Sequence, residues 1–199
     1  MAITIDRGDY WQCAYVIAKG GADALRARGL AAFKADAVAV APVLAPHIER
    51  DVTSWDDVSL LSVAIDRLER WWRPGLLCIG DAAHAMSPVG GVGINLAVQD
   101  AVAAAERLVG PLRAGTLDAH DLAAVQSRRL FPARVTQAVQ VQIQDALVVP
   151  TLAADGPLAV PLPARIVSRV PLLQRLLARG MGMGVRPEHV RSARILGGG

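Results

Sequence analysis

Between Leu76 and Val109 the chain passes from a short apolar run, Leu76-Leu77-Cys78-Ile79, through a polar, glycine-rich loop into a long helical period. Ile94, Ala97, Val98, Ala101, Val102, Ala105, Leu108 and Val109 recur at i, i+3, i+4, i+7, i+8 and i+11, the spacing of one helical face. The pattern predicts a helix starting near Ile94 and stopping at Gly110-Pro111. The same reading applied upstream predicts two strands, Ile3 to Asp6 and Tyr10 to Ile17, joined in a hairpin by Arg7-Gly8-Asp9. After Gly20-Gly21 the segment from Ala22 to Val40 is helix-prone, with an interruption at Gly29. Pro42 and Pro46 punctuate a short helix before Asp51. Val58 to Ile65 is β-branched and apolar enough for a further strand, and Trp71-Trp72-Arg73-Pro74-Gly75 turns the chain into the strand at Leu76. Downstream, Asp118 is placed to cap a helix that runs past Pro132 with a kink or break there. Beyond Pro150 only Ile166 to Arg179 has a helical pattern. There is no internal repeat.

Composition narrows this picture. In 199 residues, 53% are hydrophobic and mean hydropathy is +0.34, which argues for a packed core over most of the length. Aromatic residues are only 4%, so Ala, Val, Leu and Ile must build that core. No apolar run approaches the ~18 residues of a spanning helix. Met1-Ala2-Ile3-Thr4-Ile5 resembles no secretory leader, and a cytoplasmic location is expected. Cys13 and Cys78 lie in strand-like runs outside any CxxC spacing, as expected of buried free thiols in a reducing compartment.

Charge is uneven. From Pro161 onward seven arginines (165, 169, 175, 179, 186, 191, 194) face the single acid Glu188, so this end is +6 and the rest −3 in a total of +3. Its leucine-rich part, Ile166 to Leu177, reads as a helix with arginines turned to water or in weak contact with a membrane surface. No aromatics are interleaved with the arginines, which argues against nucleic acid.

The candidate chemistry lies between Gly80 and Asn95. Asp81 closes the apolar run at the predicted strand end, where a carboxylate needs a partner, and ligands of open α/β sheets gather at such ends. It suits the hydroxyls of a ribose or ribityl chain, a divalent metal, or a simple turn-capping role. Gly90, Gly91 and Gly93 allow close backbone approach. The unpaired amides opening the next helix can receive a phosphate, a carboxylate or the carbonyl edge of a ring. Asn95 adds an amide in the first turn. No G-x-G-x-x-G occurs; Gly91-Val92-Gly93-Ile94-Asn95-Leu96 has Leu in place of the third Gly. His84 invites a metal reading, but His47, His84, His120 and His189 are the whole histidine complement, and Asp118-Ala119-His120 sits at a helix start. His84 is therefore expected to be structural, with no metal site. With no Gly-x-Ser-x-Gly elbow and no credible nucleophile or base, no side chain is assigned as catalytic, and a cofactor bringing its own chemistry is the economical explanation.

Gly80-Asp81-Ala82-Ala83-His84, Pro88, Gly90-Gly91-Val92-Gly93-Ile94-Asn95-Leu96-Ala97 and Asp100-Ala101 together resemble the C-terminal FAD signature of single-component flavoprotein monooxygenases of the p-hydroxybenzoate hydroxylase type. Tyr10-Trp11-Gln12 and Trp71 to Gly75 are similar to that family's substrate-domain portion. The resemblance covers about Ile3 to Leu112. It implies that Gly80 belongs to the FAD site, that Asp81 holds a ribityl hydroxyl of FAD and that Pro88 shapes the loop beside the flavin ring. It further implies that Gly90, Gly91 and Gly93 give close approach, and that the amides of Ile94 and Asn95 meet the pyrimidine edge. NAD(P)H and oxygen would be co-substrates, and the substrate an aromatic or quinone-like small molecule.

The family's N-terminal dinucleotide-binding motif and its middle Asp-Gly motif are both missing, so an N-terminally truncated member is expected. The expected fold class is α/β, as an α+β mixture: a partial doubly wound FAD-binding domain, strands of a mixed substrate-domain sheet, and a helical C-terminus. The expected regions are a partial substrate-domain-like region at 1–75, the FAD signature at 76–112 and a helical region at 113–199. The expected function is an FAD-dependent oxidoreductase, a hydroxylase, that binds FAD weakly or not at all on its own. The alternatives are an inactive remnant or interaction module pairing with a separate N-terminal half or with itself, or a peripheral membrane module. Exposed apolar surface and unpaired strand edges are expected in either case.

Overall fold

The computed structural model describes residues 1–153 and 162–190. These fall into two compact units, residues 1–62 with 146–153, and residues 63–145 with 162–190.

The first unit opens with β1 (Ala2–Asp6) and β2 (Trp11–Tyr15), paired antiparallel from Ala2↔Tyr15 to Asp6↔Trp11. Gly8 turns the hairpin at φ +93°, a conformation that suits glycine, and its N–H donates to Asp6 Oδ1 at 2.8 Å. Then come α1 (Ala22–Ala27), α2 (Leu30–Val40) and α3 (Ala45–Asp51). The break between α1 and α2 falls at Gly29, φ +88°. Phe33, Ala37, Leu44 and Ile48 are buried, and Tyr15 and Trp55 flank the Phe33 ring with centroids 5.8 and 5.5 Å away. The hairpin itself is bare: Ile3, Ile5, Tyr10 and Trp11 are all exposed. Cys13 is exposed too, against the expectation of a buried thiol, because β2 has no second strand neighbour among the described residues; Cys78 is half-buried.

The second unit is built on two long helices, α4 (Gly93–Ala114) and α5 (Ala119–Ile143), with a two-residue hairpin, β3 (Trp72–Arg73) and β4 (Leu76–Leu77). Its core gathers Trp71, Ala83, Leu96 and Ala133, with Leu77, Cys78, Met86 and Leu130 packed around them. Trp71 is 1% exposed, and a side chain of that kind buried so fully contributes roughly 3 kcal/mol. After α5 the chain makes a π-helical turn at Gln144–Val148 and enters α6 (Val149–Ala153), which belongs to the first unit, and α7 (Leu162–Arg169) and α8 (Pro171–Met183) return it to the second.

The architecture is the expected mixture of α and β, with small antiparallel sheets early and helices toward the C-terminus. Both sheets among the described residues are two-stranded and antiparallel.

Several boundaries differ from the sequence pattern. Val58 to Ile65 forms no strand: no described residue pairs with it in a ladder, and Leu60 and Leu61 are exposed. Strand propensity without a partner ladder does not make a strand. Helix α4 does not stop at Gly110-Pro111. Pro111 forgoes only one bond near the helix end, and the cap is Gly115 at φ +66°, with Thr116 N–H donating to Pro111 O at 2.9 Å. Helix α5 likewise continues through the buried Pro132, because polar anchors on both sides hold it. The predicted Ile166 to Arg179 helix is two helices. Pro171 excludes Val170 from helical angles (φ −114°, ψ 99°). Arg191 and Arg194 lie outside the described residues.

Candidate functional site

The turn at Gly80 is set by what precedes it. Gly75, at φ +78°, reverses the chain between β3 and β4, and Cys78 N–H donates to Trp71 O at 2.7 Å. Ile79 is extended, and Gly80–Ala82 then form one 3₁₀ turn. The amides of Ala83 and His84 both donate to Gly80 O at 2.9 Å. Gly80 has φ +58°, and a Cβ there would sit 3.0 Å from Ala97 Cβ on α4. Handedness and helix contact both require glycine.

Behind the turn lies a buried polar group. Asp100 on α4 and Arg129 on α5 are 0% exposed, and His84 is 1% exposed. Asp100 Oδ2 accepts from Gly80 N–H at 3.0 Å and from His84 Nε2 at 2.5 Å; Oδ1 accepts from Arg129 Nε at 2.8 Å. Burial alone would raise the Asp100 carboxyl, but the bonds from His84, Arg129 and Gly80 outweigh it and hold the carboxyl below the usual carboxylate range. Facing an ionised carboxylate, His84 Nε2 must carry a proton. Its Nδ1 has no partner among the described residues, and the ring lies against Trp71 with centroids 4.9 Å apart. Both faces of His84's role are therefore internal: its Nε2 is engaged by Asp100 and its ring packs on Trp71.

Of the residues singled out in the sequence, Gly80 is buried in this group, and Asp81, Pro88, Gly90, Gly91, Ile94 and Asn95 are exposed. Asp81 is exposed rather than ending a buried strand, since β4 stops at Leu77 and the chain turns at Gly80. Its carboxylate makes no hydrogen bond or ion pair among the described residues. Pro88 is exposed and leads into a second 3₁₀ turn, Val89–Gly91, in which the exposed Gly90 and Gly91 have φ +82° and +63°. No side chain caps α4 at Val92, which leaves the first-turn amides to other partners. Gly93 is half-buried, Asn95 is exposed and Ile94 is 72% exposed. Met181 Cε from α8 comes within 2.7 Å of where a Gly90 Cβ would stand, and Gln99 Nε2 donates to Met183 O at 3.0 Å.

An unpartnered carboxylate, two left-handed glycines, a bare helix N-terminus and an exposed Ile therefore follow one another along a short stretch. The carboxylate can accept from hydroxyls. The amides can donate to a carbonyl edge, with the helix dipole favouring negative charge there. Ile94 offers apolar surface to a ring. This donor set fits a flavin with its polyhydroxyl chain. It fits a divalent metal poorly, because Asp81 is the stretch's only carboxylate before Asp100.

Sequence reasoning missed the residues that hold the stretch in place. On α5, Gln126, Arg129, Gln137 and Gln140 recur at helical spacing, and their side chains serve backbone groups of neighbouring loops. Gln126 Nε2 donates to Glu69 O and its Oε1 accepts from Trp71 N–H. Gln137 Nε2 donates to both Asp66 O and Ala85 O, and Gln140 Nε2 to Ser87 O. A stripe of amides on an otherwise apolar face was the available signal. Asp118, His120 and Asp121 also bring ligand atoms within 4.8 Å of one another. Asp118 Oδ1 is already engaged, capping α5 through the amides of His120 and Asp121. No helix among the described residues is long and apolar enough to cross a membrane.

Comparison with known proteins gives this arrangement its class. Residues 13–139, well over half of the chain, match the FAD binding domain family, and the chain belongs to that family. It is 37% identical over 184 residues to 6-methylpretetramide 4-monooxygenase of Streptomyces rimosus, an alignment covering 92% of this chain and 43% of the relative. Kynurenine 3-monooxygenases of Xanthomonas oryzae pv. oryzae and Xanthomonas axonopodis pv. citri are each 38% identical over 87 residues, covering 43% of this chain and 16% of the relative. The chain thus spans less than half the length of these relatives.

Proposed function

We propose that this chain supplies the flavin-facing part of the FAD site of a monooxygenase acting on an aromatic or related small molecule, with NAD(P)H and oxygen as co-substrates. The observation that carries the reading is the exposed Asp81 carboxylate in the stretch that leads into an α4 N-terminus that no side chain caps. FAD, when bound, supplies the redox chemistry. The chain's own residues bind and orient it. Asp81 accepts from a ribityl hydroxyl, Gly90 and Gly91 admit the ring edge, and the amides of Ile94 and Asn95 donate to its carbonyl oxygens, favouring the charge that reduction places there. Gly80, Pro88 and Gly93 shape the backbone between these groups. The family membership and the relatives' names, monooxygenases of 6-methylpretetramide and of kynurenine, support the reaction class.

Flavin-fluorescence titration with FAD and with riboflavin tests this. The chain has no G-x-G-x-x-G motif for the adenosine half, so the two should bind within about tenfold of each other, and Asp81→Asn should weaken both by about tenfold, the loss of one hydrogen bond to a charged group. FAD binding a thousandfold tighter than riboflavin, or binding indifferent to Asp81→Asn, would contradict the reading.

One observation favours a second role, pairing with another polypeptide that carries the dinucleotide-binding half. Ile94, Val98, Ala101 and Ala105 form an exposed apolar stripe along α4, and Val98, Ala101, Val102, Ala105 and Val190 line an almost wholly apolar groove of about 330 Å³. Such a face is suited to burial against a partner.

A further inference from the structure

We propose that Asp100 is the positioning residue of the Gly80–His84 turn, fixing the direction in which Asp81 presents its carboxylate, and that Arg129 links this control to the segment around Arg186. The consequence for flavin rests on the function proposed above; the geometry does not. Asp100 Oδ2 receives both ends of the turn, the Gly80 amide at one and the His84 ring at the other. Asp81 lies between them with no anchor of its own among the described residues, so its orientation is inherited from its neighbours. Gly80 is left-handed, and a Cβ built on it would stand 3.0 Å from Ala97 Cβ, so its amide meets Asp100 with the turn close against α4.

Charge does this rather than shape. An Asn in place of Asp100 has a single acceptor oxygen for three donors, and its NH₂ would face one of them. A Leu would fill the space and leave Gly80 N–H, His84 and Arg129 unsatisfied in the interior. Asp100 is itself held on its other oxygen by Arg129. The Arg129 guanidinium also reaches Arg186 O at 3.4 Å, Gln99 Oε1 at 3.4 Å and Glu188 Oε1 at 3.6 Å. Gln99, the neighbour of Asp100, bonds Met183 O. Two adjacent residues of α4 and one of α5 thus join the turn behind Asp81 to residues 183–188.

The test is amide hydrogen exchange on the full chain without flavin, together with FAD titration, for wild type, Asp100→Asn and Arg129→Lys. Loss of one of these bonds should speed exchange at Gly80, Ala83 and His84 by about tenfold or more, while α5 amides between Leu122 and Val125 change less than about threefold. FAD binding should weaken in the same direction as in Asp81→Asn, and Asp81→Asn with Arg129→Lys should be little weaker than Asp81→Asn alone, because both act through one carboxylate. If Asp100→Asn does not fold, Arg129→Lys, which keeps the cation, carries the test. If wild type binds no FAD, the function proposed above fails and the exchange measurement alone decides this proposal. Exchange at the three amides within about twofold of wild type overturns it. So does acceleration by one common factor throughout residues 63–145, the signature of a merely structural ion pair.

Discussion

Gly80 combines a left-handed backbone with a Cβ position 3.0 Å from Ala97 Cβ, so Gly80→Ala meets strain and overlap together. The expected cost is about 2 kcal/mol, read as a lower urea midpoint with unchanged slope; a loss under about 0.5 kcal/mol would mean the turn adapts freely. Asp100 makes a second prediction, in pH. Its folded carboxyl is held below the ordinary range by His84, Arg129 and the Gly80 amide despite burial. A lowered folded value contributes stability that is present above the unfolded pKa of about 3.9 and lost as pH falls through the folded value. The contribution that Asp100 makes through its lowered carboxyl should therefore be lost as pH falls below about 4, and the stability gap between wild type and Asp100→Asn should narrow there; a gap that widens below pH of about 4 would contradict this. At this scale the sequence disclosed the outward residues as ligand-binding and named Gly80, His84 and Asp100 without disclosing that they meet. Asp81, Gly90 and Asn95 stand in one short stretch whose residue types announce a ligand. Asp100 and Arg129 acquire meaning only through contacts 16 to 29 residues apart in the chain, with His84 and with each other, and spacing along one helix does not carry that.

Among the elements, α4 was legible as a helix because its period runs unbroken over several turns, but which face it buries was not. Leu96, Asp100 and Ala103 turn inward, and the more apolar Ile94 and Val98 are 72% and 58% exposed. A carboxylate with three donors outcompetes a valine for the interior when the donors are already there. Val58 to Ile65 failed as a strand for the complementary reason: its propensity is satisfied only by a neighbour that the described residues do not provide. The exposed stripe gives a prediction proper to this element. Val98→Lys should change stability by less than about 0.5 kcal/mol, as for an ordinary surface site, while reducing concentration-dependent association in sedimentation velocity. A large loss of stability would place Val98 in the core instead.

For the molecule as a whole, the family match runs through residues 13–139 and so through parts of both units, while the residues of the proposed site all lie in the unit comprising residues 63–145 and 162–190. The chain covers 43% of its Streptomyces relative, and its α4 stripe and β1–β2 hairpin both leave apolar side chains in solvent. The most direct test of the central claim is a riboflavin titration followed residue by residue in two-dimensional amide spectra. The account predicts saturable shifts confined to Gly80–Ala82 and the stretch from Gly90 to Leu96, diminished by Asp81→Asn. Saturable shifts centred elsewhere in the chain, or none at these amides while flavin binds, would contradict it.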